Sequence, residues 1–169
     1  MVRSIVVDAD VARSAGTSDD PMSSNCREFL VAMRRFRHEV VMSPAIDREW
    51  RRHRSKYAVA WLAQMESHRK VVRIDPAIDL ASELAAASPT PKVAAIVDKD
   101  RHLIEAALEC DRLVASRDKT ARRHFCDIAI TLPVIRPIAW VDPCSTDYSA
   151  VSWLRGGAKA HPEYRLLSS

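Results

Sequence analysis

Five short apolar runs recur along the chain, each separated from the next by a helix-length stretch. They are Ser4-Ile5-Val6-Val7-Asp8, Glu39-Val40-Val41-Met42, Val71-Val72-Arg73-Ile74, Leu113-Val114-Ala115-Ser116 and Ile138-Ala139-Trp140-Val141. Runs this short, rich in β-branched residues, read as buried strands. Strands that alternate with helices pair in parallel, because each crossover returns the chain to the same end of the sheet. The expected fold class is therefore α/β, a doubly wound parallel sheet with helices on both faces. In such sheets ligands sit beyond the carboxyl ends of the strands, where the strand order reverses.

Between the strands, a polar loop is expected over residues 14–24. Ser24 or Asn25 then caps a helix running to about His38, with Phe29, Leu30, Met33 and Phe36 inward. Ser43-Pro44 is an N-cap followed by proline at the first helical position. The helix it opens is expected to reach about Arg69, bent near residues 53–55, with Ile46, Trp50, Tyr57, Trp61 and Met65 buried. Asp75-Pro76 is expected to open a helix to about Ala87, broken by Ser88-Pro89-Thr90-Pro91. An amphipathic helix carrying Leu103, Ile104, Ala107 and Leu108 follows, and a short one from Lys119 to Cys126. A last helix over residues 146–154 is stopped by Gly156-Gly157.

A chain of 169 residues, 47% apolar, is most simply one domain with a full core. It divides into a domain over residues 1–142 and a C-terminal extension over residues 143–169, expected to dock through Trp153, Leu154 and Tyr164. The net charge of +4 permits a polyanionic partner without requiring one. Cys26, Cys110, Cys126 and Cys144 form no C-x-x-C pair, so they read as free thiols in a reducing cytoplasm. No apolar run approaches a membrane span, and the chain opens on a strand rather than a signal segment. With three glycines there is no phosphate-cradling Gly-rich loop.

The chemistry lies in the acids. Asp8 ends the first strand, with Asp10 two residues on; Asp118 ends the fourth. Asp100 shares a helix face with Leu103 and Ile104, and a carboxylate on a core-facing stripe needs a partner. Its neighbour Asp98 points away, with Arg101 and His102. Asp118 is also placed to cap the helix that follows it. In the Pro44 helix, geometry does not separate Glu49 from Asp47, which could simply complement the helix dipole. The six histidines show no ligand spacing and read as surface or core residues.

Four segments in order resemble the motifs of PIN-domain proteins, a family of metal-dependent nucleases that includes bacterial toxins. They are Ile5-Val6-Val7-Asp8-Ala9-Asp10, Ser43-Pro44-Ala45-Ile46-Asp47-Arg48-Glu49-Trp50, Asp100-Arg101-His102-Leu103-Ile104-Glu105-Ala106-Ala107 and Leu113-Val114-Ala115-Ser116-Arg117-Asp118. The resemblance implies a three-layer α/β/α fold with sheet order 3-2-1-4-5. It implies Asp8, Glu49, Asp100 and Asp118 as the catalytic and metal-holding acids, with magnesium or manganese as the ion and single-stranded RNA as the substrate. It also leaves room for Asp10 as an accessory ligand, an antitoxin-like protein partner and a homodimer. Hard divalent ions suit such a set, because clustered carboxylates cannot all ionise uncompensated. Arg48, Arg51, Arg52, Arg117 and Arg122 lie near these acids in sequence and are candidates for RNA phosphate contact.

Two other functions compete. Asp8-Ala9-Asp10 after a strand also resembles the nucleophile motif of haloacid-dehalogenase-type phosphatases, which expects a later lysine, an acidic pair and usually a cap domain; the pair is not evident and the chain is short. A non-catalytic PIN-like module binding RNA or protein is the third reading, against which the full set of acids argues.

Overall fold

The computed structural model describes residues 1–167. Its strands are β1 (Ser4–Val7), β2 (Glu39–Met42), β3 (Val71–Arg73), β4 (Leu113–Ala115) and β5 (Ala139–Val141). They form one sheet in the order β3-β2-β1-β4-β5, with every adjacent pair parallel. The protein is a three-layer α/β/α fold with helices flanking this sheet. β1 lies between β2 and β4, in register Val6 with Val41 on one side and Val114 on the other. Ile5, Val6, Val7, Val40, Val41, Val114 and Ala115 are wholly buried, as strands covered on both faces must be.

The helices are α1 (Ala9–Ser14), α2 (Pro21–Arg35), α3 (Pro44–His53), α4 (Lys56–Ser67), α5 (Ala81–Ala87), α6 (Pro91–Leu108), α7 (Lys119–Ala129) and α8 (Ala150–Arg155). Several boundaries differ from the sequence expectation. α1 begins directly after Asp8, inside a stretch left unassigned. α2 starts four residues early, at Pro21, because Asp20 Oδ2 accepts from Ser23 N at 3.3 Å and proline occupies the first turn. The long helix expected over 44–69 is two helices rather than one bent one. Ser55 Oγ accepts from Ala58 N at 3.1 Å and so starts α4 afresh.

The helix expected from Asp75 begins only at Ala81. Glu109 takes the N–H groups of Ala77 and Ile78 at 2.7 and 3.0 Å, which leaves those donors satisfied without a helical turn. α7 runs on to Ala129, and α8 starts at Ala150, capped by Ser149 Oγ.

After β5 the chain turns back over the domain. α8 packs on α2, burying Trp153 and Leu154. Leu154 O accepts from His38 Nε2 at 2.8 Å; His38 Nδ1 accepts from Arg3 N, which fixes that tautomer. Leu166 N donates to Ile138 O at 2.9 Å, and Arg165 bridges Ala139 in antiparallel sense, so this segment covers the β5 edge. Ser168 and Ser169, the end of the expected extension, lie outside the described residues. Among the described residues, no helix is long and apolar enough to cross a membrane.

Candidate active site

At the carboxyl end of the sheet, β1 and β4 deliver Asp8 and Ser116–Asp118 side by side. Here the strand order reverses, since the chain leaves β1 for β2 on one side and later returns through β4 on the other. Ser116 Oγ joins the two strand ends: it donates to Asp8 Oδ2 at 2.8 Å and accepts from Asp118 N at 3.1 Å. Asp118 also caps α7, its Oδ1 accepting from Ala121 N at 2.8 Å. Capping and a role in the site are therefore compatible, since one carboxylate oxygen remains. Trp50 fastens α3 to this end of the sheet by donating its indole N–H to Val7 O at 2.8 Å. That contact sets Glu49, its neighbour, at the rim.

A cleft of about 410 Å³ opens here, lined by Asp8, Asp10, Glu49, Asp100 and Asp118 together with Arg13, His53, Lys99, His102 and Arg117. All four acids of the expected set share it. Asp47 and Asp98 do not line it: Asp47 pairs with Arg51 at 2.7 Å and Asp98 with Arg101 at 3.0 Å. The helix face that meets the cleft carries Glu49, not Asp47. Of the five candidate arginines, only Arg117 lines it. Arg51 is held by Asp47, and Arg52 is exposed on α3. Arg48 lines a separate hollow with Asp75 and Pro76, and Arg122 a groove with Trp140, Tyr148 and Tyr164.

Arg13, Lys99, His53 and His102 were not anticipated. Arg13 follows Asp10 by three residues, one helical turn, once α1 is recognised. Lys99 and His102 flank Asp100 on α6, and His102 faces the cleft rather than Asp98.

The carboxylates are crowded and poorly solvated. Asp100 is 6% exposed. Burial, then the charges of Asp8 and Asp118, push its carboxyl up to about 7. Burial and the Asp8 charge push Asp10 up to about 8. Asp8 is raised too, by burial above all, against the hydrogen bond from Ser116. His102 is lowered by burial despite the nearby Asp8 charge.

Among the carboxylates of this cleft, Asp10 has an orphaned oxygen. Asp10 Oδ2 accepts from Arg117 N at 3.1 Å, but its Oδ1 is buried without a partner. A buried, unpartnered carboxylate oxygen among further carboxylates is a donor of the hard type that divalent cations such as magnesium take. Among the described residues, however, no three acids or imidazoles are drawn together as a finished ligand cage. Glu49 lies 3.6 Å from His53, and one oxygen of Asp118 is taken by its cap.

The chain matches no protein-family model and no curated protein.

Proposed function

We propose that this chain is a divalent-metal-dependent endoribonuclease acting on single-stranded RNA, the activity implied by its resemblance to PIN-domain proteins. The observation that carries the proposal is one cleft at the sheet's reversal point fed by Asp8, Glu49, Asp100 and Asp118 from four separate segments.

Asp8, Asp100, Asp118 and Glu49 would hold the ion, with Asp10 as an accessory through its orphaned oxygen. When bound, a divalent ion supplies an acidified water and stabilises charge on the scissile phosphate. The protein's own contribution is threefold. Ser116 orients the Asp8 carboxylate through its hydroxyl. Trp50 anchors the helix that presents Glu49. Arg13, Lys99 and Arg117 line the same cleft and attract a phosphodiester backbone without reading bases. The same proposal places the protein in the cytoplasm with its RNA, and for a toxin-type member adds a protein antitoxin that masks the cleft.

The test is cleavage of labelled single-stranded RNA with manganese, magnesium or a chelator. Wild type should cleave only with metal. Asp8→Asn and Asp100→Asn should each lose more than about 100-fold, beyond the loss typical of an outer-shell residue. Metal-independent cleavage, or full activity in Asp8→Asn, would overturn the proposal. A phospho-aspartate trapped at Asp8 with a phosphomonoester would point to the phosphatase chemistry instead.

A further inference from the structure

Cys26 and Cys144 are 118 residues apart in sequence, yet their sulfurs lie 3.7 Å apart. Cys26 is fully buried on the inner face of α2. Cys144 is half-buried in the turn after β5, its backbone N–H held by Asp142 Oδ1 at 2.8 Å. Bonded sulfurs stand about 2.05 Å apart, so these are two thiols in contact. Among the described residues, Cys110 and Cys126 make no such contact.

Arg117 stands beside the pair. Its guanidinium charge acts on the Cys144 sulfur, and its Nη1 donates to Ser14 Oγ at 2.9 Å. Its Nε is buried with no hydrogen-bond partner. Either thiol can donate across the sulfur contact, and Cys144 Sγ also lies 3.9 Å from Met22 O. The Cys26 hydrogen bond, and secondarily Arg117, draw Cys144 down to about 7; the same hydrogen bond and burial push Cys26 up. A partly exposed thiol whose pKa is drawn down beside a cation, touching a second thiol, is the setting in which cysteines oxidise selectively.

We propose that Cys26 and Cys144 are an oxidation site, a dithiol that peroxides convert to a reversible disulfide. Cys144 is the attacking group, since it alone of the two reaches solvent. Its thiolate attacks one peroxide oxygen; the O–O bond breaks, hydroxide leaves and Cys144 becomes a sulfenic acid. The Cys26 sulfur then attacks the Cys144 sulfur, the S–O bond breaks, and the departing oxygen takes the Cys26 proton and leaves as water. Two thiols lose two electrons and two protons, and hydrogen peroxide is reduced to two waters. The bond ties α2 to the turn that opens the C-terminal extension. It also consumes the Cys144 thiol near Arg117, a residue of the carboxylate cleft. The site stands independently of the nuclease proposal, because it rests only on the sulfur contact and its surroundings.

The experiment uses the folded, full-length protein. After hydrogen peroxide, free thiols are blocked with iodoacetamide, and peptides prepared without reductant are read by mass spectrometry. A Cys26–Cys144 cross-link is expected, lacking both thiol hydrogens and released by dithiothreitol, with Cys110 and Cys126 alkylated. Cys26 and Cys144 both alkylated after peroxide, or a cross-link made to Cys110 or Cys126 in their place, overturns the proposal. In Cys26→Ser the sulfenic acid has no resolving thiol, so dimedone should label Cys144 there and not in wild type. An unlabelled Cys144 in that variant rejects it as the attacking group.

Discussion

At the scale of single residues, Asp10 is the most exposed to its own electrostatics. Its carboxyl is raised from an ordinary 3.8 to about 8 by burial and by Asp8. A carboxyl raised in the folded state favours folding while it is protonated, and that advantage is lost as pH climbs from about 4 towards 8. In a chelator, wild type should therefore weaken over this range. Asp10→Asn keeps an oxygen acceptor for Arg117 N but cannot ionise. It should melt higher than wild type at pH 8, by about 2–4 °C for each kcal/mol recovered, with the gap closing at pH 4. Thermal unfolding by circular dichroism checks this; a variant less stable than wild type at both pH values would mean that Asp10 is stabilised as an anion. His38 titrates in the opposite sense. Burial lowers its pKa from an ordinary 6.5, so the folded state resists its proton, and stability is complete above 6.5 and declines below it. His38→Gln should flatten the fall in Tm between pH 7.5 and 5.5. An unchanged slope would show that the ring accepts its proton in place.

At the scale of elements, three of the helix-to-strand connections share an unusual solution. Arg37, Arg69 and Arg112 have φ of 62°, 56° and 61°, the left-handed conformation that glycine usually supplies after a helix. Each lies between a helix and the strand it feeds: α2 to β2, α4 to β3 and α6 to β4. The chain has only three glycines and spends none of them here. The closing bonds are nonetheless made, as in Lys70 N to Met65 O at 2.8 Å and Arg69 N to Glu66 O at 3.0 Å. A left-handed non-glycine residue costs about 1–2 kcal/mol, against roughly 0.5–1 kcal/mol for the added chain entropy of glycine. Strain relief wins narrowly, so Arg69→Gly, at an exposed site, should raise the urea midpoint by a small amount with the slope unchanged. A lower midpoint would show that the arginine side chain contributes more than its backbone costs.

At the scale of the whole molecule, the C-terminal segment completes the core. Trp153, Leu154 and Leu166 are buried at 6%, 0% and 2% exposure, against α2 and the β5 edge. Burying each such side chain contributes about 1.5–3 kcal/mol, while net stability is of the order of 5–15 kcal/mol. Truncation after Asp142 should therefore bring the chain close to unfolding, with loss of a cooperative melt. Leu154→Ala is the milder probe: a loss of about 2–5 kcal/mol is expected, with the molecular weight by light scattering unchanged. An unaltered melt in the truncated protein would show that the domain stands without its extension, and a change of mass would assign these side chains to a subunit contact.

The sequence by itself determined what acts over a few residues. The five apolar runs specified parallel strands, Ser43-Pro44 marked a true helix start, and the spacing of Asp100 from Leu103 and Ile104 placed its carboxylate on the inner face. Asp8 and Asp118 were legible as strand-end acids for the same reason. The tertiary structure decided what depends on distant partners. Asp47 and Glu49 are equivalent along the sequence; the Trp50 anchor on Val7 O turns Glu49 to the cleft, and Arg51 occupies Asp47. Glu109 holds back the start of α5 from more than 30 residues away, which no local rule encodes. Arg13, Lys99 and His102 joined the cleft, and Arg48, Arg51, Arg52 and Arg122 stayed outside it, according to which helix face packs inward. The contact of Cys26 with Cys144 exists only because α2 and the turn after β5 meet. Caps, periodicity and strand propensity operate within about one helical turn, whereas a site is built from groups that folding alone brings together.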